Sequence, residues 1–229
     1  ECATRPVMAG ASRRATYEDL MQVPDTKVAE LIDGELFVSP RPASPHAYAA
    51  SCIGCDVVGS FHRDPGSSGA PGGWWILLGP ELHFGADVVV PDWAGWRRER
   101  LPVLRDVPYF ELAPDWICEI IAPSTGRLDR SRKMRVYARE GVAHLWLVDP
   151  LVQTLESYRL DDHRWTLEAV HAANDVVRAA PFDAIELAQD ISRHLNHEVV
   201  QARQPTPMYV LSRLIRRNKA VFVSGSVIT

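Results

Sequence analysis

The sequence predicts an α/β domain, a mixed β-sheet flanked by helices. Two observations predict it. Several short apolar runs, rich in β-branched and aromatic residues, fit buried strands better than helices. Longer segments with helical apolar spacing lie before and between them, and strands interleaved with helices in chain order build such a sheet.

The elements follow in order. Residues 1–15 are small, basic and unpatterned, and are expected to form a disordered lead-in. Thr16 to Leu20 reads as a short helix, with Thr16 and Asp19 at capping-box spacing. Ala29–Ile32 and Glu35–Val38 flank Asp33-Gly34, a two-residue hairpin turn. Ser44-Pro45 opens a helix to about Phe61, serine capping it and proline suiting its first turn. Arg63 to Gly73 is a Gly/Ser/Pro-rich loop. Trp74–Leu78, Val88–Asp92 and Trp116–Ile121 read as strands. Asp129 to Arg139 reads as a helix ending at Gly141. Leu145–Val148 is a further strand, and Thr154–Leu160 pairs antiparallel with Arg164–His171. The domain spans about 16–195. Residues 196–229 form a tail without an assigned role.

A chain of 229 residues with 46% hydrophobic and 24% charged residues suits one globular domain. The formal net charge of -4 argues against a uniformly basic nucleic-acid binder. Basic residues are instead concentrated: Arg127, Arg130, Arg132, Lys133, Arg135 and Arg139 crowd one segment, and Arg97, Arg98 and Arg100 follow Pro91-Asp92. Of the four cysteines, Cys52 and Cys55 form a C-x-x-C inside an apolar-periodic helix, which favours free thiols over a zinc or redox site. No signal peptide or membrane span is visible, so a cytoplasmic location and no membrane partner are expected.

Two carboxylates end separate apolar runs: Asp92 closes Val88-Val89-Val90-Pro91, and Glu119 lies in Trp116–Ile121. A buried acid needs a compensating partner. A metal ion held by both acids is one, and an arginine or lysine is the other. Magnesium takes a few hard oxygen ligands and keeps several waters. Asp92, Glu119 and the Ile120 carbonyl are the expected donors, with manganese as a substitute ion. Lys133 is expected beside the attacking water. Asp129 and Tyr137 lie one helical turn to either side of it, although Asp129–Lys133 also reads as a surface i,i+4 ion pair. Glu81 and His83 precede Asp92 without a spacing that demands a role. Trp93 and Trp96 suit base stacking or, more simply, packing.

Pro91-Asp92, Glu119-Ile-Ile-Ala-Pro-Ser-Thr125, Asp129, Lys133, Tyr137, Gly141-Val142 and Leu145-Trp-Leu-Val-Asp-Pro150 form an ordered set. Glu30-Leu-Ile-Asp-Gly-Glu35 and Ser44-Pro45-His46 precede it. The set, covering about Thr16 to Leu195, resembles the Uma-two family of restriction endonucleases in the PD-(D/E)XK nuclease superfamily. Ile121 stands where the superfamily motif has lysine. In the family resembled, the lysine comes from the following helix, as Lys133 does. The resemblance implies a restriction-endonuclease-like fold and magnesium-dependent cleavage of DNA. Asp92 and Glu119 would hold the metal and Lys133 would position or activate the water. Glu30, His46, Asp129 and Tyr137 would support them. Arg127, Arg130, Arg132 and Arg135 are the expected DNA contacts, and a homodimer is compatible. The alternatives are a non-catalytic DNA-binding or regulatory protein on the same fold, and a metal-dependent small phosphoesterase.

Overall fold

In the structure, a computed structural model, residues 13–66, 69–172 and 175–186 are described. All belong to one compact unit; the expected tail, residues 196–229, lies outside the described residues, and so does most of the expected lead-in. The last part of that lead-in is tied down: Ala15 N–H donates to Gly34 O at 2.8 Å, and Arg13 pairs with Asp19 at 2.7 Å.

Helix α1 (Tyr17–Met21) is entered through the Thr16/Asp19 capping box, in which Thr16 N–H donates to Asp19 Oδ2 at 2.8 Å. Strands β1 (Lys27–Ile32) and β2 (Glu35–Pro40) pair antiparallel around Asp33-Gly34. Both turn residues have positive φ, 55° and 79°, which glycine and aspartate tolerate. Helix α2 spans Ser44–Phe61, as the spacing predicts, but Ala43 is its N-cap and Ser44 already lies inside it. Then follow β3 (Trp74–Leu78), β4 (Leu82–Phe84), β5 (Asp87–Val89), β6 (Trp93–Arg97) and β7 (Trp116–Ile120). Helix α3 (Gly126–Leu128) runs into a π-turn (Asp129–Lys133) and then α4 (Met134–Arg139). Strands β8 (His144–Asp149), β9 (Thr154–Asp161) and β10 (Arg164–Ala172) complete the domain.

The strands form two sheets, ordered β2-β1-β5-β4 and β10-β9-β8-β7-β6-β3. The larger is mixed: β7 and β8 are parallel and joined through the helical segment, whereas its other pairs are antiparallel. The expected strand Val88–Asp92 is shorter than its apolar run. Proline lacks the N–H a ladder needs, so β5 stops at Val89 and Pro91-Asp92 carries the chain from one sheet to the other.

Side chains alternate across the larger sheet. Trp116, Cys118 and Ile120 face a core under α2, together with Trp74, Trp146 and Phe182. Ile117 and Ile121 face a second core with Val136, Tyr137, Leu145 and Leu147, so Glu119, in the same phase, faces the helical segment. Phe182 lies edge-on to Trp74 and Trp116 with centroids 4.9 Å away, and Trp146 Nε1–H donates to Ala180 O at 2.7 Å. That bond fastens the segment carrying Phe182 over the first core. Trp146→Phe leaves the Ala180 carbonyl without its donor and should cost about 1–3 kcal/mol. Urea unfolding checks it, with a lowered midpoint expected and a wild-type midpoint counting against this anchor.

Candidate active site

The β7 register places the first acid. Trp93 pairs with Cys118 across the antiparallel β6–β7 ladder, so Asp92, one residue before β6, comes opposite Glu119. Ile120 N–H donates to Asp92 Oδ2 at 2.7 Å, while Ile121 N–H donates to Val148 O of β8. In extended backbone a residue's N–H and C=O point to the same side. The Ile120 carbonyl therefore faces the Asp92 side of the strand.

Lys133 enters from the helical segment. It is 3% exposed, as are Glu119 and Asp129. Its Nζ lies 2.7 Å from Glu119 Oε1, 3.0 Å from Glu30 Oε1 and 3.5 Å from Asp129 Oδ1. Tyr137 OH also donates to Glu119 Oε1, and Glu30 Oε1 accepts from Val90 N–H at 2.9 Å. Glu30 thus ties the end of β5, just before Pro91-Asp92, to the lysine. Four residues of α-helix overshoot a full turn by about 40°; the wider π-turn takes up that excess, so Asp129, Lys133 and Tyr137 stay on one side. The Asp129–Lys133 surface pair that the spacing allowed is instead buried.

Electrostatics follow from burial. Burial pushes the Glu119 carboxyl well up; Lys133 pulls it down, and Asp129, Asp92 and Glu30 push it further up. Asp129 is raised by burial, partly offset by Lys133 and a hydrogen bond from Thr125. Burial opposes charge on Lys133, but Glu119 and Glu30 overcome it and hold its pKa well above the usual lysine value. Burial also raises Tyr137, with Glu119 adding to it.

Glu30, His46, Asp92, Glu119, Ile120, Asp129 and Lys133 line one cleft of about 260 Å³. His46 Nε2 is 3.2 Å from Asp92 Oδ2, and its Nδ1 is buried without a hydrogen-bond partner among the described residues. Among the described residues no three His, Cys, Asp or Glu side chains are grouped to hold a metal by themselves. A magnesium ion, which keeps several waters, needs fewer protein ligands. Three buried carboxylates share a single ammonium here, with Asp92 beside them. This surplus of hard, negatively charged oxygen fits a divalent cation.

The remaining predicted residues separate. Glu35 pairs with Arg132 at 3.0 Å and is 60% exposed. Glu81 does not extend the acidic cluster: it accepts from Tyr17 OH at 2.9 Å and lies 2.6 Å from His83 Nε2. Trp93 and Trp96 are buried, donating to Ala50 O at 3.2 Å and Leu112 O at 2.8 Å, so packing is their role. Arg97 and Arg98 lie over the rings of Trp74 and Trp75, and Arg100 pairs with Asp115 at 2.9 Å. Cys52 and Cys55 lie on α2, and neither is in a disulfide among the described residues. Arg130 makes two bonds to Glu156, at 2.8 and 2.7 Å, and Arg139 pairs with Asp87 at 2.9 Å. Arg127, Arg132 and Arg135 line a hollow of about 530 Å³ beside β2, which shares Ser39 and Ser124 with the cleft; there Arg132 keeps its pair with Glu35, and Arg135 lies 3.6 Å from the exposed Asp33.

A mixed sheet carrying opposed acids and a buried lysine defines an α/β protein of the restriction-endonuclease-like class. Residues 14–190 match the Uma2 family, described as "putative restriction endonuclease", and the chain belongs to that family. The crystal structure of a "putative nuclease belonging to DUF820" from Anabaena variabilis is similar in fold. Its TM-score is 0.61 at 24% identity, over 79% of this chain and 98% of that one. The comparison with curated proteins gave no match. Among the described residues no helix is long and apolar enough to cross a membrane.

Proposed function

We propose that the protein is a magnesium-dependent endonuclease that hydrolyses DNA phosphodiester bonds in this cleft. The observation that carries the reading is the buried Lys133 ammonium, enclosed by Glu119, Glu30 and Asp129 in a cleft it shares with Asp92. Asp92, Glu119 and the Ile120 carbonyl would hold the ion, and manganese would substitute. When bound, the ion supplies Lewis acidity toward the phosphate oxygens. Lys133, kept charged by its carboxylates, acts as a hydrogen-bond donor rather than a base. It orients the attacking water and stabilises negative charge developing on the phosphate. Glu30 and Asp129 fix the ammonium, and Tyr137 fixes the Glu119 carboxylate. Titration with magnesium followed by cleavage of plasmid DNA tests this. Metal-dependent nicking is expected; DNA binding without turnover under any divalent ion would favour a regulatory protein on this fold.

The DNA strand would run over the Arg127, Arg132 and Arg135 hollow. Arg127→Ala and Arg135→Ala should each weaken binding for all sequences and lower the salt slope by about one unit. Arg130→Ala should leave the slope unchanged, because its guanidinium is engaged by Glu156. Fluorescence anisotropy across a salt series checks both. Equal slopes for all three variants and wild type would make the segment a solvated face.

A further inference from the structure

The cleft opens in two directions with unlike walls. On one side lies the basic hollow. On the other lies a larger hollow of about 830 Å³ between α2 and the β3 and β6 ends, and it shares His46 and Asp92 with the cleft. Small residues of α2 form one wall, Ala47, Ser51 and Cys55 among them; Leu78 and Trp93 contribute to the other. Among the described residues, Arg41 is the only basic side chain besides His46 that lines it. Its volume falls within the range of ~300–1,000 Å³ usual for pockets that take small organic groups.

A duplex passing through the cleft would lay phosphates along both walls. Phosphates left against this mostly apolar wall, with few cationic partners to meet them, lose water without adequate compensation, which is costly. An unpaired strand escapes this, because its bases are free to turn away from the backbone and lodge on apolar surface. Phosphates on one side and bases on the other match the two walls. Building on the nuclease reading above, we infer that the apolar hollow receives an unpaired nucleobase next to the scissile phosphate. The substrate is then an unpaired strand, flap or frayed end, rather than intact duplex.

The test compares binding and cleavage of one oligonucleotide, single-stranded or annealed as blunt duplex. Binding is measured in chelator, with 2-aminopurine as the base probe at successive positions. The wild type should bind the single strand at least tenfold more tightly than the duplex and change the probe's fluorescence at one position. Ser51→Trp fills the hollow from the exposed face of α2, where the serine hydroxyl donates to Ala47 O. It should weaken single-strand binding at least tenfold and abolish the fluorescence change. Bulky alkylation of folded protein at Cys55, in a Cys2→Ser/Cys52→Ala background with Cys118 buried, should do the same if the tryptophan variant fails to fold. Equal or tighter binding of duplex overturns the inference, as does a filled hollow that leaves the preference intact. A wild-type dimer that Ser51→Trp turns into a monomer with unchanged strand affinity overturns it too, and gives the hollow to a second copy. Hydrolysis of bis(4-nitrophenyl) phosphate with magnesium, measured on the wild type, reads the cleft alone. If the wild type turns over neither this ester nor DNA, the nuclease reading fails while strand binding still decides the role of the hollow.

Discussion

Glu119→Gln should abolish cleavage, with a loss of ~100-fold or more in rate, about 2.7 kcal/mol of barrier, and leave the fold standing. Gln suits the test better than Ala. Its amide oxygen can still accept from Tyr137 OH and Lys133 Nζ, the two groups that Glu119 Oε1 now satisfies. Only the negative charge is removed. That charge is the one burial disfavours, so the folded-state pKa of Glu119 lies above its unfolded value. Such a group contributes stability in full below the unfolded pKa and loses it as pH rises through the folded pKa. In chelator, the stability of Glu119→Gln relative to wild type should therefore increase with pH above about 4.5. Magnesium should invert the order by stabilising only the wild type, by about 2.7 kcal/mol at a hundredfold excess over its dissociation constant. Thermal melts across pH, with chelator or magnesium, read both effects. A wild type that no divalent ion stabilises would remove the metal from the proposal.

The two acids were legible because the local sequence marks their places, whereas Lys133 was placed beside them by the family resemblance. Pro91 terminates a strand by lacking an N–H, and Glu119 interrupts an apolar run. The partition among alternatives was not legible. Asp129 and Lys133 have the same i,i+4 spacing whether exposed or buried. They lie in a π-turn beside Glu119, followed directly by Val136 and Tyr137 of the second core, a combination that local spacing does not signal. Strand β6 was missed because Trp-Ala-Gly-Trp-Arg has no β-branched residue and a central glycine. That glycine makes room for rings: a Cβ on Gly95 would lie 3.1 Å from Trp116 and 3.4 Å from Trp74. Glu81 lies near Asp92 in sequence, yet it is bound to Tyr17, a pairing across 64 residues that no local pattern signals. The arginine cluster divided for a similar reason, since Glu156, the partner of Arg130, lies 26 residues downstream on β9.

Lys133→Met should both silence the enzyme and weaken the fold. Methionine approximates the lysine stem but leaves Glu119, Glu30 and Asp129 buried without their shared cation. Removing one partner from a buried ionic cluster costs about 3–5 kcal/mol. The loss should depend on pH in a fixed direction. Without the ammonium, Glu119 and Asp129, which burial already raises, become easier still to protonate, so stability falls as pH rises through their folded-state pKa values. The variant should therefore approach wild-type stability on acidification and fall furthest below it near pH 8. Glu30→Gln added to Lys133→Met removes one of the stranded charges and should recover part of the loss. Magnesium should recover part as well, since it supplies positive charge to the same oxygens. Neither remedy should restore cleavage, because the donor to the water is still missing. Denaturant unfolding and plasmid nicking, run on the single and double variants, separate the two roles. Stability lost but cleavage regained with magnesium would make Lys133 a structural counter-ion only. Cleavage lost at wild-type stability would make it purely chemical. A variant that keeps both would take Lys133 out of the site.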